Sequence, residues 1–289
     1  MLLNSKASPI YLPEPDQRSV LRLGLKRLDP RQWLIRDADF GEFYRNKLIA
    51  AETLADKVYR ALPGSEPAQQ ELRALILDHL VRDHGGHYRV EQNRLVCLPA
   101  EISFPLDGQS QTQSLYHSTL WQASLWVQED LCILEPQDGT FVLTAASVCA
   151  PSNWKLEEKI GCSLDQIHSP VPGYGRELSM RVNRLFNSLK SAKPLFRYNW
   201  SVQSTPELLW RESSAPADEP DTDNGQRYWR VERQTLRRLP MTGAVIFGIR
   251  IFIHSFADLQ RFPRFATSIE TLLEKLPSSQ RRYKGLDRL

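Results

Sequence analysis

The sequence predicts an α+β protein: an antiparallel sheet with helices on one face, preceded by an N-terminal helical layer. Two observations carry this. The second half of the chain reads as two strand-like runs, a helical middle and then three more strand-like runs. Two of the connections, PQDG and PMTG, are short and Gly-ended, which suits hairpins rather than the long crossovers of a parallel sheet.

The ordered part opens near GLKRLDPRQWL at residue 24. Asp39 can cap a helix over residues 41–62. A second helix is predicted over 67–84, with Leu72, Leu75, Ile76 and Leu80 at helical spacing and Gly85-Gly86 as the stop. HYRVEQNRLVCLP then reads as a small hairpin. LCILE (131–135) and TFVLTAASV (140–148) are strands joined across Asp138-Gly139. The Pro-rich stretch QIHSPVPGY follows, and then a helix over 176–190 with Leu178, Val182, Leu185, Phe186 and Leu189 on one face. LFRYNWSV (195–202) is the third strand. The acidic stretch 211–226 reads as a mobile loop. Residues 227–239 and 244–253 pair as the last hairpin. Both faces of AVIFGIRIFI are apolar, as in a central strand covered on two sides. Ser255 caps a final helix that Pro263 should bend or break. This gives an extension over 1–120, a core over 121–276 and a basic tail over 277–289.

Composition narrows the function classes. The 289 residues are 41% hydrophobic and 25% charged, which is ordinary for a globular chain. The net charge is +3, much of it from SSQRRYKGLDRL, which reads as a solvated tail or docking patch. There is no Lys/Arg block of the kind that binds nucleic acid. No apolar run is long enough to span a membrane, and the N-terminus lacks the pattern of a signal peptide. Cys97, Cys132, Cys149 and Cys162 are scattered, which argues against a zinc or iron–sulfur site. A cytoplasmic protein with reduced cysteines is the expectation.

No standard catalytic motif is present. Gly173 and Gly175 in PGYGRE make only half a nucleotide loop. His84 and His87 beside Gly85-Gly86 read as a helix end with solvated rings. His168 stands out because the prolines after it stiffen the chain, which puts it at the mouth of a non-helical segment. Neutral imidazole is a common metal ligand and the usual proximal haem ligand, although a histidine on a rigid surface loop would look the same. A haem pocket also needs apolar walls and cations. Ile246, Phe247, Ile249 and Phe252 lie beside Arg197, Arg233, Arg237 and Arg238, some of which would simply be solvated. On an alternating strand Glu232 shares a face with Gln234 and Leu236, while Val231, Arg233 and Thr235 point the other way. Glu232 suits a cross-strand ion pair or, on a pocket wall, a cationic amine.

GLKRLDPRQWL, VQEDLCILEP, APSNWKLEEKIGCSLDQIHSPVPGY, RYNW and RVERQTLRRLPMTGAVIFGIR together resemble the haem-binding alpha subunit of haem-dependent oxidative N-demethylase, over roughly residues 24–276. The resemblance implies a PAS-like five-stranded antiparallel sheet and haem b, whose iron oxidises a small secondary amine such as dimethylamine with O2 and releases formaldehyde. It implies partner subunits that carry FMN and a 2Fe-2S centre and bring electrons from NADPH, with tetrahydrofolate also on a partner. Carried over by position, His168 becomes the axial iron ligand and Glu232 the group facing the amine. Arg197, Arg233 and Lys159 become propionate or pocket-organising residues. A homo-oligomer is compatible with all of this. The rival expectations are a non-catalytic haem PAS protein that senses O2 or redox state, and a haem-free scaffold.

Overall fold

The computed structural model describes residues 2–4, 9–13, 19–107, 118–209 and 226–288. The predicted acidic loop lies outside the described residues apart from Gln226. The chain begins with a two-stranded ribbon, β1 (Leu2–Asn4) against β2 (Pro9–Tyr11). Next, β3 (Lys26–Arg27) joins an edge of the main sheet. Helix α1 (Phe40–Leu54) is shorter than its predicted range. Ala55, at φ +39, turns the chain out, and Tyr59–Ala61 becomes β4 on the opposite sheet edge. Asp39 precedes α1 without a capping bond. Its carboxylate lies 3.4 Å from the buried Arg250 guanidinium instead.

Helix α2 (Glu66–Asp83) buries Ala68, Leu72, Ile76 and Leu80 and stops just before Gly85-Gly86. The predicted hairpin gains a third strand: β5 (Tyr88–Glu91), β6 (Arg94–Cys97) and β7 (Ile102–Pro105) form a small sheet. A short α3 (Thr119–Ser124) leads into β8 (Asp130–Gln137) and β9 (Thr140–Ser147). Asp138 and Gly139 both have positive φ, 46° and 82°, which is the hairpin geometry their sequence predicts. The helical middle comprises α4 (Leu156–Lys159), α5 (Leu164–His168), α6 (Tyr174–Glu177) and α7 (Ser179–Ser188). Three long strands follow: β10 (Leu195–Gln203), β11 (Tyr228–Arg238) and β12 (Val245–Ser255). Ser255 caps α8 (Phe256–Leu259), and Pro263 starts a separate helix, α9 (Pro263–Lys275). Then come α10 (Ser278–Tyr283) and a short 3-10 turn at Leu286–Arg288.

The main sheet is antiparallel with seven described strands rather than five, in the order β3-β10-β11-β12-β8-β9-β4. The two extra strands are two and three residues long, too short to carry an alternation signal. They come from the N-terminal extension, which therefore completes the sheet instead of merely packing on it. β12 is central, as its two apolar faces predict.

Helices cover both faces, not one. Alternate residues of β8 show this. Leu131 and Ile133 join a core with Leu72 and Ile76 of α2 and Leu120 of α3. Cys132 and Leu134 join another with Val182 and Phe186 of α7. A third cluster packs Phe265 and Leu272 of α9 against Trp229 and Val231 of β11.

The predicted basic tail is folded. Gln280, Lys284 and Leu286 are all buried, and the Val202 amide donates to the Lys284 carbonyl at 2.8 Å. Gly285 sits at φ +74 against the Val202 carbonyl, where a Cβ would collide with the carbonyl oxygen. Leu286 is drawn into the third core cluster, so this stretch behaves as part of the domain.

Candidate functional site

A cavity of about 820 Å³ lies between one face of the main sheet, the helical middle and the C-terminal segment. Strand alternation selects its floor. Arg230, Glu232, Gln234 and Leu236 of β11 face it. The register places Asn199 beside Glu232, Arg197 and Ile249 beside Gln234, and Phe247 between Leu236 and Cys132. One end is apolar, lined by Leu134, Leu143, Ile167, Val171, Phe186 and Phe247. The other end carries Asp130, Arg230, Glu232, Asn199, Arg197 and Lys284.

His168 is the last residue of α5, and the non-helical stretch that holds the prolines, residues 169–173, begins just after it. Ser163 opens that helix with a capping box: the Gln166 amide donates to Ser163 Oγ, and the Ser163 amide donates to Gln166 Oε1 at 2.8 Å. Proline restricts the residue immediately before it, so Pro170 leaves His168 free to finish the turn. With Nδ1 as donor, the ring bonds the Leu164 carbonyl at 2.8 Å. The lone pair then resides on Nε2. The Tyr174 ring stacks on the imidazole with centroids 4.8 Å apart at 12°, and its hydroxyl donates to Asp165 Oδ1 at 3.2 Å. Burial lowers the His168 pKa against the bond to Leu164, which favours the neutral ring.

Glu232 lies at the polar end. Asn199 Nδ2 donates to Oε2 at 3.0 Å and Gln234 Nε2 donates to it at 2.8 Å. Arg230 Nε lies 3.4 Å from Oε1. Burial alone would raise the Glu232 pKa, but Arg230, the Asn199 bond, Lys284 and the Gln234 bond together hold it below the usual range. The carboxylate is therefore ionised. Arg230 is wholly buried and its guanidinium also donates to the Ala150 carbonyl. Asp130 accepts the amides of Cys149 and Ala150, both at 2.9 Å, so the chain leaving β9 is gripped from two sides.

Lys284 reaches in from the C-terminal segment. Its Nζ donates to Asn199 Oδ1 at 2.6 Å and to the Trp200 carbonyl at 2.8 Å. Arg197 donates to the Arg22 carbonyl at 3.0 Å, while its buried Nε finds no partner among the described residues. Lys159 lines the cavity at the end of α4. Arg233 does not line it. It belongs to the opposite strand face and donates to the Gln32 and Trp33 carbonyls, holding the N-terminal extension to the sheet. The alternation that puts Glu232 on the cavity floor necessarily turns Arg233 away. Among the apolar residues of β12, Phe247 and Ile249 line the cavity. Ile246 and Phe252 enter cores on the other face.

The family model described as "Haem-dependent oxidative N-demethylase, alpha subunit-like" matches residues 24–289. The chain belongs to that family. The family is described as haem-dependent, and the residues of this cavity fit a haem. The volume is within the range of cofactor sites, the walls at one end are apolar, and a neutral imidazole on the wall keeps the lone pair of Nε2. Metal-bound histidines commonly give their other ring N–H to a carbonyl, as His168 does to Leu164. The unpartnered Arg197 Nε adds an N–H for an anionic group. No cluster of three or more His, Cys, Asp and Glu residues suited to a bare metal ion occurs among the described residues. No described helix is long and apolar enough to cross a membrane.

Sequence reasoning missed Arg230, Asn199, Asp130 and Lys284. The first two were within its reach, since Arg230 continues the Glu232–Gln234 face and Asn199 lies in RYNW. Lys284 carried no such signal, because RRYKG has the composition of a solvated end.

Proposed function

We propose that this chain is the haem-bearing, substrate-binding subunit of an oxidative N-demethylase acting on a small secondary amine of the dimethylamine type. The observation that carries the reading is the pairing, within one cavity, of a neutral histidine with its Nδ1 already engaged and an ionised carboxylate at the polar end. Bound haem b would supply the activation of O2 that breaking an N-methyl C–H bond requires. His168 would hold the iron through Nε2, with Tyr174 and the Leu164 carbonyl fixing the ring plane. Arg197 and Lys159 would meet the propionates. Glu232 would attract the dialkylammonium and orient its methyl groups, and it can accept a proton from the nitrogen. With haem bound, the apolar end would keep water away and so strengthen these interactions.

Electrons would come from separate NADPH-linked subunits carrying FMN and a 2Fe-2S centre, and tetrahydrofolate on a partner would take up the formaldehyde. The order of two strands, helices and three strands around β12 supports a PAS-like core, to which β3 and β4 are additions. The charged, hydrogen-bonded carboxylate favours an amine site over an O2 sensor, whose diatomic ligand gives an anion nothing to bind.

The test is spectroscopic. Protein produced with haem precursor should show a Soret band, and His168→Ala should lose it or shift it in both oxidation states. A wild-type protein without the band overturns the haem assignment. A His168→Ala spectrum that matches wild type in both states removes His168 as ligand.

A further inference from the structure

Lys284 is buried, yet both of its described hydrogen-bond partners are neutral oxygens, Asn199 Oδ1 and the Trp200 carbonyl. An ammonium has three donors and a neutral amine two. Loss of one proton therefore leaves both bonds intact. The charged groups around it are mixed. Glu232 lies one amide away, with Arg230 on the same strand; Arg197 comes from β10, and Tyr283 precedes it on α10. Arg22, Lys26 and Arg181 line the adjoining cleft, and Arg282 lines the cavity beside Lys284. Once Arg230, Lys284 and Arg197 are counted, Glu232 has three cationic neighbours before any substrate enters. A bound dialkylammonium would be a fourth.

We propose that Lys284 is the group that makes way electrostatically for the amine: the dialkylammonium binds at Glu232 as Lys284 gives up its proton to solvent. This deepens the amine reading given above and rests on it. The exchange balances. Lysine ammonium plus free dialkylammonium becomes neutral lysine plus bound dialkylammonium, and one proton passes to buffer. A dialkylammonium, like an ordinary lysine with a pKa of about 10.4, stays charged through neutral pH. Burial, opposed by Glu232 and aided by Arg197, brings Lys284 down to about 7, so the exchange falls in an accessible range. Lys284 would also set the Asn199 amide, because an Oδ1 that accepts from Lys284 leaves Nδ2 to donate to Glu232. It is a positioning residue, touching neither iron nor methyl group.

The experiment is calorimetric titration of the haem-loaded protein with dimethylammonium chloride, in two buffers of different ionisation heat, from pH 6 to pH 8. Wild type should release close to one proton per amine at pH 6 and little at pH 8, and its affinity should rise about tenfold across that range. Lys284→Met should release none and bind with an affinity independent of pH. Lys284→Arg, which keeps a permanent charge, should bind at least about tenfold more weakly than wild type at pH 8. The wild-type proton count needs no variant and stands even if Lys284→Met folds poorly. Binding without proton release or pH dependence in wild type overturns the role of Lys284 and leaves the amine reading intact. Release that persists in a folded Lys284→Met overturns it too. Failure of dimethylammonium to bind wild type at any pH overturns both.

Discussion

Glu232 keeps its charge in a half-buried place because Arg230, Asn199, Gln234 and Lys284 surround it. Removing the charge while keeping the shape separates its two roles. Glu232→Gln should retain haem and fold while weakening the spectral change induced by dimethylamine about tenfold or more, the usual scale for losing a charge-assisted hydrogen bond of about 1.5–3 kcal/mol. An amine titration that overlays wild type would remove Glu232 from the site. His168 depends on fewer groups, chiefly the Leu164 carbonyl and the Tyr174 ring. Tyr174→Leu should keep the Soret band but broaden the low-spin or high-spin paramagnetic signals as the ring plane loosens. Tyr174→Phe, which keeps the stack and loses only the bond to Asp165, should lie close to wild type.

The elements around the cavity were unequally legible in the sequence. Strands β8 to β12 run eight to eleven residues and announce themselves by hydrophobic content and turn chemistry. β3 and β4 are too short to do so. Helix α1 is shorter than its sequence pattern predicts, because the pattern continues past Ala55, where only the positive φ reveals the break. The candidate site was legible where strand alternation governs it, as at Glu232, and His168, which lines the same cavity, stood out by the prolines after it. It was not legible at Lys284, whose burial depends on tertiary contact with Val202 and Trp200. The segment carrying Lys284 is held by backbone geometry at Gly285. Gly285→Ala should cost about 2–4 kcal/mol, from the positive φ and the collision with the Val202 carbonyl together. Chemical denaturation with a haem-release assay would check it, and the expected result is earlier haem loss. Unchanged stability and haem retention would mean the segment is not anchored there.

For the molecule as a whole, buried histidines link stability to acidity. His79 lies between the Asp83 carboxylate at 2.8 Å and the Leu34 amide, and burial drives its pKa down to about 4, against the partial support of Asp83. Its unfolded counterpart binds a proton near 6.5. The stability it confers is therefore present above about pH 6.5 and is lost as pH falls toward 4. By linkage the loss is about 3–4 kcal/mol at most. Burial lowers His84 and His168 in the same sense. Glu129 and Asp130 act oppositely, since burial raises their pKa and makes proton uptake favourable to the fold. Unfolding midpoints measured from pH 7 to pH 5 should fall, and the slope should flatten in His79→Gln. An identical slope in the variant would place the titrating group elsewhere.

The central position of β12 has a consequence for how the protein is made. The β8–β9 hairpin leaves the ribosome more than a hundred residues before its other neighbour, since Leu131 pairs with Gly248. Until Val245 and the residues after it emerge, β8 presents an unpaired apolar edge, and the floor that carries Glu232 has no neighbour on that side. Such long-range closure is slow, and an open edge invites association between nascent chains. The cavity is finished only once Lys284 and Gly285 have emerged, because they complete its wall. Chains released before residue 245 should therefore be recovered as aggregates without haem, whereas full-length apoprotein should accept haem added after synthesis.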